Sequence, residues 1–161
     1  MIARNPSPMP RRSGPRLRRR SQAGLSLIEI LVSVVILGIG LLGVAAMQSL
    51  ALRGGQSSLE ASQAVMQTNA IIEAMRANRT NAGDYATGGM VCAVPSGGTL
   101  AQNDIANWIS TLKTSIAGVT TDTTTCGQIT GCPTNCVITV RWDDSRAGGS
   151  AERTFTTRTT I

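Results

Sequence analysis

Three groups of side chains in this sequence have the types and spacing that chemistry would need. The first is a lone carboxylate. Glu29 is the only charged residue in the apolar run Leu25–Leu52, LSLIEILVSVVILGIGLLGVAAMQSLAL. An ionisable group near the start of such a segment costs a few kcal/mol in a bilayer and usually has a partner or a task. The second group is four cysteines, Cys92, Cys126, Cys132 and Cys136, spaced C-x33-C-x5-C-x3-C. That spacing lacks the paired C-x2-C loops of a zinc ribbon or finger, so no metal is expected, and the thiols read as two disulfides with three possible pairings. The third group is Asp122, Asp143 and Asp144. Oxygen-rich turns bind calcium in some secreted proteins, but adjacent acids in a turn read first as solvated.

Much other chemistry is excluded. The chain has no histidine, which removes Ser-His-Asp and Cys-His catalysis, His-ligated zinc and imidazole acid–base work. No Gly-rich loop sits between a strand and a helix as a phosphate cradle requires, and no carboxylate pair supports glycosidase chemistry. No catalytic residues and no cofactor are expected.

Charge is distributed very unevenly. The net charge is +6, but residues 1–24 hold seven of the 15 basic side chains and no acid, leaving the remainder formally −1. A basic arm can grip phosphate, yet this one abuts an apolar run long enough to cross a bilayer, where arginines set orientation. The positive-inside rule places the N-terminus in the cytoplasm and everything after Leu52 outside it. All four cysteines fall on that outer side, which suits an oxidising periplasm. No direct nucleic-acid contact is expected.

Arg18-Arg19-Arg20-Ser21-Gln22-Ala23-Gly24 followed by Leu25-Ser26-Leu27-Ile28-Glu29 resembles the class III signal of type IV prepilins and pseudopilins. The resemblance implies cleavage by the membrane prepilin peptidase after Gly24, methylation of the new N-terminus at Leu25, and an assembly role for Glu29, fifth after the cut. Leu25 stands where that family more often has Phe. The physics of the implied role is clear: the freed cationic amine of one subunit gives the carboxylate of its neighbour a partner in a low-dielectric core. A competing reading is an ordinary secretory signal cut after Val44-Ala45-Ala46, with a product starting at Met47. Glu29 within the apolar stretch and the length of that stretch, beyond the usual run of about 7 to 15 residues, argue against it.

Positioning these groups requires a long helix and a small head. After Leu52 the chain becomes amphipathic, with Ala61, Ala64, Val65, Thr68, Ile71, Ile72 and Met75 in one arc and Glu60, Gln63, Gln67 and Glu73 outside it. The helix is expected to reach about Arg79, with Gly38, Gly40, Gly43 and Gly54-Gly55 as weak points. Near its end, Glu73-Ala74-Met75-Arg76-Ala77-Asn78-Arg79 is similar to the PilV class of minor type IV pilins.

Residues 80–99 read as a loop, and a short helix is expected from about Asn103 to Lys113, with Asn103 or Asp104 as its cap and Ile105, Trp108, Ile109 and Leu112 on its apolar face. Residues 118–134 show no periodicity and are compatible with a loop or short strands. Cys136–Trp142 alternates as a strand with Cys136, Ile138, Val140 and Trp142 on one face, packed toward the spine. The stretch Asp143–Gly149 reads as a turn into a terminal strand over Arg153–Thr157, forming an antiparallel hairpin.

The expected fold is therefore α+β and pilin-like: a leader over 1–24, a membrane and filament-core half-helix over 25–52, an amphipathic half over 53–79, and a periplasmic head over 80–161. The resemblance implies a minor type IV pilin that assists pilus assembly or initiation. Its implied partners are prepilin peptidase, other minor and major pilins, the inner-membrane assembly platform and the membrane itself. A minor pseudopilin of type II secretion shares the leader, Glu29 and the spine. A membrane-tethered periplasmic enzyme or binding module would need a polar constellation in the head that the sequence does not display.

Overall fold

The computed structural model describes residues 24–161. The leader up to residue 23, including the arginine cluster, lies outside the described residues. Leu and Ala favour helix and the β-branched Ile and Val less so, yet α1 spans Leu27–Ala77 unbroken. It carries through Gly38, Gly40, Gly43, Gly54 and Gly55 without interruption, so none of these glycines breaks it. Contacts divide the chain after Leu41. Before the division, the helix from Leu27 has exposed apolar side chains, and the residues from Leu42 onward belong to a unit with its own core.

Within that packed unit, α1 buries Glu60, Ala64, Thr68, Ile71, Ile72 and Met75. This is helical spacing, as expected, with two corrections. Val65 is exposed, and Glu60, expected on the outer face, is 4 % exposed. The burial of Glu60 follows from what packs there: Asp144, on the β2–β3 connection, is bonded to Ser57 one turn before Glu60. The helix stops at Ala77, two residues short of Arg79, and a 3-10 segment Arg79–Tyr85 follows where a loop was expected. Tyr85 is the reason for that order. It is fully buried and its hydroxyl donates to Asp104 Oδ2 at 2.5 Å, fastening the exit of α1 to the next helix.

That helix, α2, spans Leu100–Leu112. It begins earlier than expected because its N-cap is Thr99 and neither Asn103 nor Asp104. Gln102 N–H donates to Thr99 Oγ1 at 3.3 Å, and Thr99 N–H donates to Gln102 Oε1 at 3.1 Å. This reciprocal pair satisfies two donors that would otherwise be orphaned at the helix start. Ile105, Trp108, Ile109 and Leu112 are buried as the spacing predicts. A π-helical turn, Lys113–Ala117, ends the element at Gly118, whose φ of +82° is the left-handed stop that glycine permits.

The sheet has three antiparallel strands in the order β1 (Cys126–Thr130), β2 (Cys136–Trp142), β3 (Arg153–Thr159). In β2 the even positions are buried and the odd ones half-buried, as the alternation predicts. The hairpin of β2 and β3 is likewise present, with Thr139 paired to Thr156 and their hydroxyls 3.2 Å apart. β1 is the element the periodicity did not reveal. Its Gly127 lies under α2, where an added Cβ would meet Trp108 Cη2 at 2.5 Å and Ile109 Cδ1 at 2.9 Å. The close approach of helix to sheet thus costs β1 the side chain that would have displayed its alternation. One core holds side chains from α1, α2 and all three strands, which is the α+β pilin-like architecture expected.

Candidate processing and assembly site

Gly24, Leu25 and Ser26 precede α1 in non-helical conformation and are exposed. The carbonyl of Ser26 accepts the backbone N–H groups of Glu29 at 3.0 Å and Ile30 at 3.3 Å, which starts the helix. Glu29 therefore stands in the first turn, where unsatisfied N–H groups favour a carboxylate. Its side chain is exposed, and no ion pair reaches it among the described residues. Around it the surface is apolar: Leu25, Leu27, Ile28 and Ile30 are each more than half exposed. The helix is long and apolar enough to cross a membrane. Its own Ser33 hydroxyl is satisfied internally, by the Ile30 carbonyl at 2.8 Å. Among the described residues this leaves one charge without an ion-pair partner in a surface otherwise suited to hydrocarbon.

The cysteines pair as Cys92–Cys126 and Cys132–Cys136. The first ties the segment after Tyr85 to β1, beside the isolated bridge between Val91 and Gly127. Arg141 Nη2 lies 3.8 Å from Cys92 Sγ and 3.6 Å from Cys126 Sγ. The second pair closes the β1–β2 connection, and Cys132 Sγ sits 3.8 Å from Met75 Sδ of α1.

The three aspartates do not converge on a cation site. Burial raises the affinity of Asp122 for its proton, but hydrogen bonds from Thr125 and Thr124 outweigh it and bring the pKa down to about 2. Those bonds are from Thr125 N–H at 2.6 Å, Thr124 N–H at 3.2 Å and Thr124 Oγ1 at 2.8 Å. Asp143 is held below the usual range by Ser145, whose N–H donates at 2.8 Å. Both carboxylates are spent on their own turns. Among the described residues no cluster of three or more acidic, Cys or His side chains is placed to hold a metal.

Asp144 departs from the expectation of a solvated turn acid. It is 1 % exposed, accepts from Ser57 Oγ at 2.8 Å and pairs with Arg153 Nη1 at 2.5 Å. The Arg153 guanidinium also lies over the Trp142 ring, 5.6 Å from its centroid. Sequence reasoning missed this cluster of Ser57, Glu60, Asp144 and Arg153. The one available signal was the position of Glu60, four residues before Ala64 and eight before Thr68 on the buried stripe.

Residues 19–45 match the prokaryotic N-terminal methylation motif. The match spans the end of the basic leader, Gly24, Leu25, Glu29 and the start of α1, and does not reach the rest of the chain. No curated protein and no solved structure matches the chain. The motif gives the N-terminus a type IV prepilin-like class III signal and supports a pilin-like or pseudopilin-like role. It implies processing by prepilin peptidase and association with pilins and the membrane, and it points to a structural protein.

Proposed function

We propose that this chain is a minor type IV pilin of the PilV-like class, cleaved between Gly24 and Leu25, methylated at Leu25, and held in the inner membrane by residues 25–52 with its head in the periplasm before entering a pilus fibre. One observation carries the reading: the methylation motif at residues 19–45 coincides with an exposed apolar stretch of helix in which the one charged side chain, Glu29, has no ion-pair partner among the described residues. In this reading the partner is the Leu25 amine of a neighbouring subunit. The pair neutralises both charges in a low-dielectric core and sets the axial register of one subunit on the next. The PilV assignment rests on the EAMRANR stretch, which forms the end of α1 and the start of the 3-10 segment.

Mass spectrometry of the protein purified from its own membranes tests the processing. An N-methylated Leu25 is expected, and a start at Met47 would overturn the proposal. Co-purification tests the system: pilus minor and major pilins and their assembly platform are the expected companions, whereas type II secretion pseudopilins would reassign it.

A further inference from the structure

The Ser57–Glu60–Asp144–Arg153 cluster contains two carboxylate oxygens in the same condition. Glu60 Oε2 and Asp144 Oδ1 are both buried and without a hydrogen-bond partner among the described residues. The other oxygen of each is engaged: Glu60 Oε1 accepts from Gln56 Nε2 at 3.3 Å, and Asp144 Oδ2 accepts from Ser57 and Arg153. Asp144 is bonded to Ser57, one helical turn before Glu60, so the two buried carboxyls border the same place on α1. Ionised carboxylates are acceptors only, so two of them cannot satisfy one another, and a buried oxygen left unpaired is costly. One proton turns one carboxyl into a donor and satisfies both orphaned atoms together.

We propose that Glu60 and Asp144 share one proton in the folded protein, carried on Glu60, and that this proton latches the β2–β3 connection onto α1. The surrounding charges choose the carrier. Arg153 of β3 and the Ser57 hydroxyl of α1 stabilise Asp144 as the anion. Glu60 has only the Gln56 amide on its own helix and the more distant charge of Arg146 on the connection. Burial first, and then the negative charge of Asp144, hold the Glu60 pKa above the ordinary carboxylate range, against the opposing effects of Gln56 and Arg146. When the proton leaves, two carboxylates share one buried site, and the connection loses its grip on the helix. The inference concerns the packed unit alone and stands apart from the filament reading.

The sign follows from linkage. A carboxyl whose folded pKa is raised contributes stability that is complete below its unfolded pKa and is lost as pH rises through the folded pKa. Between those two values each pH unit lowers the folded-to-unfolded ratio by up to about tenfold. The test uses the full chain in detergent micelles, comparing wild type with Glu60→Gln. The Gln amide donates to Asp144 without carrying a titratable proton. Wild type is expected to lose melting temperature as pH rises through the Glu60 titration, while the variant holds a flat profile there. Identical profiles for the two proteins would overturn the proposal. Should the variant fail to fold, the Glu60 carboxyl resonance of the wild type decides. Titration above the ordinary carboxylate range supports the shared proton, and titration within that range sinks it.

Discussion

Ser57 and Asp144 are 87 residues apart in sequence and meet at 2.8 Å, hydroxyl to carboxylate. Through this contact α1 is held by the connection between β2 and β3, and Arg153 at the start of β3 completes the tie. A buried acid with two donors on one oxygen is costly to remove because each donor loses its acceptor.

Asp144→Ala is therefore expected to lower stability by roughly 3 kcal/mol, and Ser57→Ala by about 1 kcal/mol. Urea denaturation of the full chain in detergent measures both. A loss under about 0.5 kcal/mol for Asp144→Ala would mean that the contact contributes little, as exposed ion pairs generally do.

At the acid end of the pH range Asp122 has the opposite sign to Glu60. Its pKa is lowered from 3.8 to about 2, so its stabilising contribution is present above the unfolded pKa and is lost as pH falls through about 2. Thermal melts between these pH values should fall for wild type and flatten for Asp122→Asn. Parallel curves for the two proteins would remove Asp122 from the explanation of acid unfolding.

The two disulfides should differ in what they contribute. Chain-entropy arithmetic gives about 4 kcal/mol for Cys92–Cys126, at a separation of 34, and about 2 kcal/mol for Cys132–Cys136, at a separation of 4. Paired Cys→Ser variants, each melted beside wild type, should lose stability in that order, and reductant should lower the wild-type melting temperature. The reverse order would mean that native contacts, such as Cys132 against Met75, outweigh loop closure.

Glu29→Leu is expected to leave cleavage after Gly24 intact and to cut entry into filaments at least tenfold. Immunoblots of sheared fibres and of whole membranes separate the two steps. Normal amounts of the variant in the fibre fraction would show that the carboxylate has no assembly role.

Long-period patterns were the legible part of this chain. The buried stripe of α1, the apolar face of α2 and the alternation of β2 each repeat one residue class at fixed spacing, and packing follows that repeat. β1 escaped because its packing needed an absent side chain at Gly127, which no hydrophobic pattern records. The start of α2 was misplaced because Asn103 and Asp104 are good caps by type, whereas Thr99 with Gln102 supplies two reciprocal bonds. Glu60 and Asp144 read as solvent-facing by their charge, yet both are buried. What buries them is the pairing of elements distant in sequence, and periodicity within one element carries no record of that. At the N-terminus the reverse held, since the residues around Gly24 and Glu29 are a local motif and needed no tertiary context to be read.

The two tryptophans are placed so that the protein supplies its own optical probes. Trp108 lies at the contact of α2 with β1, and Trp142 lies beneath the guanidinium of Arg153. Replacing one indole with Phe leaves the fluorescence of the other as a report on a single locality. Trp142 emission would follow the release of the β2–β3 connection, and Trp108 emission the loosening of helix from sheet. The order in which these parts separate during unfolding can then be read without attaching a dye.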